Sequence, residues 1–264
     1  MSAFRRHSGA AASFQASFMM ETSEFTALIS NRKNLYRLLA RLYRIEVDEP
    51  LLRQLAEMGF PMECDEQELS EGYRMLAAWL RDPKNDLKSK PGSNPESDPL
   101  TDLAVDYARV FLGAGVFEGV VASPYESVYT SKERLIMQEA RDQVFAVYSA
   151  RGLHSADALE LPEDHIALEL EFMAHLCRET QQAGDDWQLV SVLLKEQKEF
   201  IEQHPGKWVP AFRADIEKCA STDFYRAVGK ITHGFLNMDR EMLEDLLAEA
   251  SARMDECVPN SEAQ

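Results

Sequence analysis

Two short segments carry residue types able to do chemistry. Glu160-Leu161-Pro162-Glu163-Asp164-His165 runs straight into a helical pattern over 166–177, setting a carboxylate beside an imidazole where a helix begins. Upstream, Ser123-Pro124-Tyr125-Glu126-Ser127-Val128-Tyr129 sets an acid and two hydroxyls among aromatics. Together they predict one surface site. Pro162 suits the first helical position, and Glu163 and Asp164 then fall in the first turn, where negative charge complements the helix dipole. On a helical wheel Ile166, Leu170, Met173 and Cys177 share a face, flanked by a stripe of His165, Glu169, Phe172 and Leu176. His165 and Glu169 are then one turn apart at a core edge, an acid and an imidazole suited to gripping an arginine or an amide group of a peptide. The residues alone leave two readings open, a helix cap and a binding site.

Other chemistries find less support. A metal reading takes His165 and Glu169 at i, i+4 with Glu160 or Asp164, yet a second histidine and the metalloprotease spacing are missing, and His175 and His204 fall on other faces. Gly113-Ala-Gly115-Val-Phe-Glu-Gly119 lacks the G-x-G-x-x-G order and the Lys-Ser/Thr of a phosphate loop, so it reads as a turn. Ser123 and Ser127 have no nucleophile-elbow setting. No catalytic residue, metal ligand or cofactor is therefore assigned. The aromatic patch of Tyr107, Val110, Phe111 and Leu112 with Pro124, Tyr125, Val128 and Tyr129 either closes a core or walls a groove for an apolar helix or extended peptide. Trp208 reads as the anchor of a loop between two helices.

These residues must be held by helices, because apolar positions recur at helical spacing and strand-like alternation is scarce. Thr22 or Ser23 can cap a first helix bearing Phe25, Leu28, Ile29, Leu35, Leu38, Leu39 and Leu42. Further helices are expected over 48–58, 65–81, 100–112, 131–151, 163–181, 184–204, 209–220, 223–237 and 239–256. The fold class is all-α, one domain of about nine to ten helices over 22–257, with tails at 1–21 and 258–264 and an exposed connection at 82–99 rich in Pro, Gly, Ser and charge. The stretch from Asp239 onward, dominated by acids, reads as a solvated helix with a frayed end.

A chain of 264 residues with 45% apolar content can bury a sizeable core. Its net charge of -17 argues against nucleic acid and favours a cationic partner. Cys64, Cys177, Cys219 and Cys257 are scattered without C-x-x-C spacing, which points to the reducing cytoplasm. No run has the length of a membrane-spanning helix. The segment after Arg5-Arg6 is too polar for an export signal and reads as a disordered tail, with Met19 or Met20 as an alternative start.

The combination resembles the TorD/DmsD family of redox-enzyme maturation chaperones. Tyr107-Ala-Arg-Val110-Phe111-Leu112-Gly113 is similar to the family's aromatic-x-x-Leu-Phe-x-Gly segment, with Val110 in place of Leu. Ser123-Pro124-Tyr125-Glu126-Ser127 resembles its Pro-aromatic-x-Ser segment. Glu160-Leu-Pro162-Glu-Asp164-His165 resembles its Glu-Pro-x-Asp-His signature, with Leu161 inserted, and Glu169-Leu-Glu-Phe172-Met173 and Gln197 through Trp208 follow in order. The resemblance implies a family-specific helical fold and a cytoplasmic protein that is not an enzyme. It further implies binding of the twin-arginine signal peptide, and of the apo form, of a molybdopterin-dependent oxidoreductase, with export delayed until the cofactor is inserted. The peptide-binding residues would be Tyr107, Phe111, Pro124, Tyr125, Glu126, Ser127, Tyr129, Glu160, Pro162, Asp164, His165, Glu169 and Phe172. Asp164 with Glu126 or Glu169 would meet the arginines, and Tyr107, Phe111, Tyr125 and Phe172 the apolar run. Two rival functions are a scaffold for the mature reductase and a metal- or nucleotide-dependent hydrolase using His165 and Glu169. A monomer or a dimer swapped about 82–99 are both compatible.

Overall fold

The computed structural model describes residues 20–61, 63–85, 98–116, 119–153 and 161–256. Ten α-helices form among them: α1 (Thr22–Arg44), α2 (Glu49–Glu57), α3 (Gln67–Arg81), α4 (Pro99–Leu112), α5 (Glu126–Thr130), α6 (Glu139–Ala150), α7 (Ile166–Ala183), α8 (Trp187–Gln203), α9 (Pro205–Cys219) and α10 (Asp223–Glu256). Among the described residues no strand forms, and one antiparallel bridge joins Tyr125 to His165. Glu160 and most of the 82–99 connection lie outside the described residues, although Pro83–Asn85 makes one 3-10 turn.

Helix ends follow local chemistry. Asp48, Asp98 and Asp186 accept hydrogen bonds from the first free backbone N–H groups of α2, α4 and α8. Gly113 ends α4 in the left-handed region at φ 68°, where a Cβ would be strained. At α1 the expected cap is displaced, because Thr22 is already helical and Glu21 precedes it without a side-chain bond.

The long α10 packs on α3, α8 and α9, while α1 lies along α7. Phe224, Val228, Ile231, Phe235, Leu243, Leu246 and Ala250 carry its apolar stripe into one core with Ile29, Leu39, Leu170, Met173, Leu194 and Phe212. The two expected helices at 223–237 and 239–256 are thus one, and its second half is amphipathic rather than wholly solvated, burying Asp239, Leu243, Leu246 and Ala250 while Arg240 and Glu244 stay exposed. Asp239 is fully buried and accepts from Arg32 Nε at 2.5 Å, Arg32 Nη2 at 2.9 Å and the Tyr36 hydroxyl at 2.6 Å. Where a helix was expected over 131–151, two short pieces form instead, α5 before it and α6 from Glu139, with a loop at 131–138 between them.

Candidate functional site

The bridge between Tyr125 and His165 brings the two sequence segments together. Glu126 N donates to Asp164 O at 3.0 Å, Ile166 N to Pro124 O at 2.9 Å, and Ser127 N to Asp164 Oδ2 at 2.9 Å. The Tyr125 ring meets the His165 ring edge-on at 4.9 Å. Each segment thus ties down the start of the other's helix. The Pro162–His165 stretch is a turn rather than the first turn of α7, closed by His165 N donating to Pro162 O. His165 itself is the cap, its Nδ1 accepting from Ala167 N at 3.1 Å. Nδ1 is therefore the unprotonated nitrogen. Burial, with Arg44 nearby, drives the imidazole pKa down to about 3, so it stays neutral.

The site is not on the surface. Glu126, Ser127, Asp164, His165 and Glu169 are buried, as are Pro124 and Phe172, whereas Tyr125, Tyr129 and Pro162 are half-buried. The expected pairing of His165 with Glu169 does not form, because the imidazole is used at the helix end. Glu169 turns inward instead, where Trp208 Nε1 donates to its Oε2 at 3.2 Å. His204 Nδ1 donates to Glu126 Oε2 at 3.0 Å. Tyr129 stacks on Trp208 with ring centres 5.5 Å apart. His204 and Trp208 are thus partners of the acids that sequence reasoning placed elsewhere. Only His204 separates α8 from α9, so Trp208, expected to anchor a loop, is instead a first-turn residue of α9, one turn from His204; the His204 contact spans 78 residues and only the fold closes it.

Tyr107 and Phe111 do not join this cluster. They sit in an aromatic core with Tyr43, Phe212 and Tyr225, which Phe212 joins to Trp208 and Tyr129, and the Tyr107 hydroxyl donates to Tyr43 O at 2.9 Å. Phe172 packs on Phe200 and Tyr148 deep behind the acids. In this conformation none of the three offers a groove wall.

The electrostatics set Glu126, Asp164 and Glu169 apart. Burial, then the charge of Glu126 and that of Asp164, push Glu169 well above the usual carboxyl range, against the indole hydrogen bond from Trp208. Asp164 is raised as well, by burial first, with Ser127 opposing and Glu126 adding. Even so, Asp164 Oδ1 and Glu169 Oε1 are buried with no hydrogen-bond partner. Other buried acids are satisfied: Asp106 takes four bonds from Ser221 and Thr222, and Asp239 is held by Arg32 and Tyr36. Among the described residues no Lys or Arg pairs with Glu126, Asp164 or Glu169, and no group of three or more His, Cys, Asp or Glu is arranged to hold a metal. A cleft of about 410 Å³ opens at Glu126, lined also by Lys132, Glu133, Gln138, Glu139 and Lys207. It is polar and leads from solvent to the edge of the acid cluster.

Comparison with known proteins gives this arrangement a family. The family model described as "Nitrate reductase delta subunit" matches residues 63–214, more than half of the chain. A TorD chaperone protein of Vibrio cholerae is 32% identical over 189 residues, covering 70% of this chain and 78% of its own. A TorD chaperone protein of Shewanella pealeana is 26% identical over 238 residues, covering 86% and 96%. A shorter match of 145 residues at 26% identity links the chain to TorD of Vibrio parahaemolyticus, covering 54% of this chain and 64% of that one. These relatives are chaperones, and among the described residues no helix is long and apolar enough to cross a membrane. The chain belongs to the TorD/DmsD family of redox-enzyme maturation chaperones, and it is a chaperone for a redox enzyme rather than an enzyme itself.

Proposed function

We propose that this chain is a cytoplasmic, system-specific chaperone that binds the twin-arginine signal peptide of a molybdopterin-dependent oxidoreductase, with its apo form, assisting cofactor insertion and delaying export. The observation that carries this reading is the pair of unpartnered oxygens, Asp164 Oδ1 and Glu169 Oε1, in a cluster of three buried acids without a Lys or Arg partner among the described residues. A guanidinium brings five donors in a planar fork, the donor type these oxygens lack. Since the cluster is closed here, the peptide enters by displacing α5 and the 161–165 turn, with the cleft at Glu126 as the path. Asp164, Glu126 and Glu169 then meet the arginines, Ser127, Pro124, Pro162 and His165 hold the backbone around them, and Tyr125 and Tyr129 form the half-buried edge. Phe172, Tyr107 and Phe111 support from the core, and Glu160 precedes the turn in sequence.

The test is calorimetric titration of the full chain with the leader of the molybdoenzyme encoded beside its gene, against the same leader with Lys-Lys. Binding lost with Lys-Lys supports the reading. No binding to the leader, with the full-length reductase still captured, replaces it with a scaffold for the mature subunit. Asp164→Asn keeps the acceptor for Ser127 N but removes the charge, and should weaken leader binding by about 2–5 kcal/mol. The exposed acid change Glu57→Gln should leave it unaltered, and equal effects of the two would remove Asp164 from the site.

A further inference from the structure

The loop at 131–138 between α5 and α6 is tied through Arg134 to Tyr129 and Asp215 and through Gln138 to Ser127, and holds its apolar residues out into solvent. At one end the Arg134 guanidinium lies 5.5 Å from the centre of the Tyr129 ring and 3.5 Å from Asp215 Oδ2. At the other, Gln138 N donates to Ser127 Oγ at 3.1 Å. Between these pins Leu135, Ile136 and Met137 are 58%, 47% and 54% exposed. Three consecutive exposed aliphatic side chains gain nothing from water. The backbone is also held against its preference, since Arg134 at φ 51° and Met137 at φ 61° are non-glycine residues in the left-handed region. Strain and exposure together mark a surface shaped for something other than the free chain's stability.

The loop is also the rim of the cleft: Glu133 and Gln138, on either side of the apolar residues, both line it. Among the lining side chains Glu126, Glu133 and Glu139 outnumber Lys132 and Lys207. A ligand with a cationic end and an adjoining apolar run therefore meets matching surface in order, acids within the cleft and exposed aliphatic side chains on the loop that borders it.

We propose that Leu135, Ile136 and Met137 dock the apolar run of a peptide whose adjacent arginines enter the acid cluster past Glu126. This rests on the leader-binding reading above and moves the apolar contact from the buried Tyr107, Phe111 and Phe172 to the loop. Specificity for one peptide over another then lies in this exposed triplet, which is free to vary without disturbing the core.

The test titrates the intact chain with a synthetic peptide carrying Arg-Arg followed by about ten Leu and Ala residues, a version with Lys-Lys, and a version whose run is Ser and Gln. The protein is compared with the combined variant Leu135→Ser, Ile136→Ser, Met137→Asn, asparagine being chosen because it tolerates the left-handed backbone. The variant should bind the Leu/Ala peptide roughly tenfold or more weakly, as expected when buried aliphatic side chains leave a contact. It should bind the Ser/Gln peptide no worse than the unaltered chain does, and the Lys-Lys penalty should persist. Unchanged affinity for the Leu/Ala peptide overturns the proposal while leaving the arginine site standing. Equal losses on both runs overturn it too, because they report damage to the cleft. If the unaltered chain binds neither run, the leader-binding reading fails and this proposal with it. Light scattering that shows a dimer turned monomeric by the variant, with peptide affinity unchanged, assigns the triplet to a second copy of the chain instead.

Discussion

Replacing Glu169 by glutamine should make the protein more stable as the pH rises. The fully buried Glu169 carboxyl is held well above its usual range of about 4.5 by burial and by the neighbouring Glu126 and Asp164. The native state therefore keeps a proton that the unfolded chain releases above pH 4.5. Stability is greatest below that pH and falls as pH rises toward the folded-state pKa, by about 1.4 kcal/mol per pH unit over the interval in which only the native state is protonated. From pH 5.5 to 7.5 this amounts to at most about 2.7 kcal/mol for one group. Glutamine carries no such proton, and its side chain is neutral at every pH of the range. Asp164, Tyr148 and His204 face the same cluster and are common to both proteins. Urea unfolding at constant ionic strength across that range gives the stability difference at each pH. It should grow in favour of Glu169→Gln with rising pH. A difference constant to within about 0.5 kcal/mol would mean that Glu169 is ionised in the native state, and the account of a buried, protonated Glu169 would be wrong.

Asp239→Ala should destabilise the fold by about 3–5 kcal/mol, because it leaves the buried Arg32 guanidinium without its carboxylate, and the joint change Arg32→Met with Asp239→Leu should recover most of the loss in the same urea assay. Gly72→Ala should cost about 1–3 kcal/mol, since its Cβ would lie 2.7 Å from Ile231 Cγ1 and 2.9 Å from Ile231 N where α3 crosses α10. Trp208→Phe keeps the ring against Tyr129 but leaves Glu169 Oε2 without the indole donor, and should lower the thermal midpoint by an amount equivalent to about 1–3 kcal/mol.

Much of the fold was legible because the helices obey local rules. Asp48-Glu-Pro50 and Asp98-Pro99 announce a cap and a first-turn proline, and α2, α3, α4 and α8 fall close to their expected ranges. The failures share one cause, a distant partner overriding local pattern. Asp239-Arg240-Glu241 reads as a polar break, yet Arg32, distant by 207 residues, makes Asp239 a core residue and lets α10 run on. Ser131 through Gln138 contains good helix formers, but Ser127 takes the N–H of Gln138 and Tyr129 takes the guanidinium of Arg134, so the segment is a loop. Pro162 suggested an early start for α7, whereas the pairing of Glu126 N with Asp164 O holds that stretch as a turn. For the site, residue types and the meeting of two segments could be read from order and spacing. Burial could not, because an acid beside a helix start looks the same whether solvent or Trp208 faces it.

That burial bears on how an arginine pair could be told from a lysine pair. Exposed acids would attract either cation, with little loss on exchange and strong screening by salt. A closed cluster is more selective, because opening it has an energetic cost whichever cation enters, and only a ligand that satisfies Asp164 Oδ1 and Glu169 Oε1 together offsets that cost. The guanidinium does so with parallel donors in a plane, whereas a single ammonium is a compact, strongly hydrated point charge. Entry of the cation would also drive the proton off Glu169, so leader binding should strengthen as pH rises over the same interval in which the free chain loses stability. The two trends are opposite faces of one titration. They should disappear together in Glu169→Gln, and leader affinity that rises equally with pH in both proteins would assign the proton to another group.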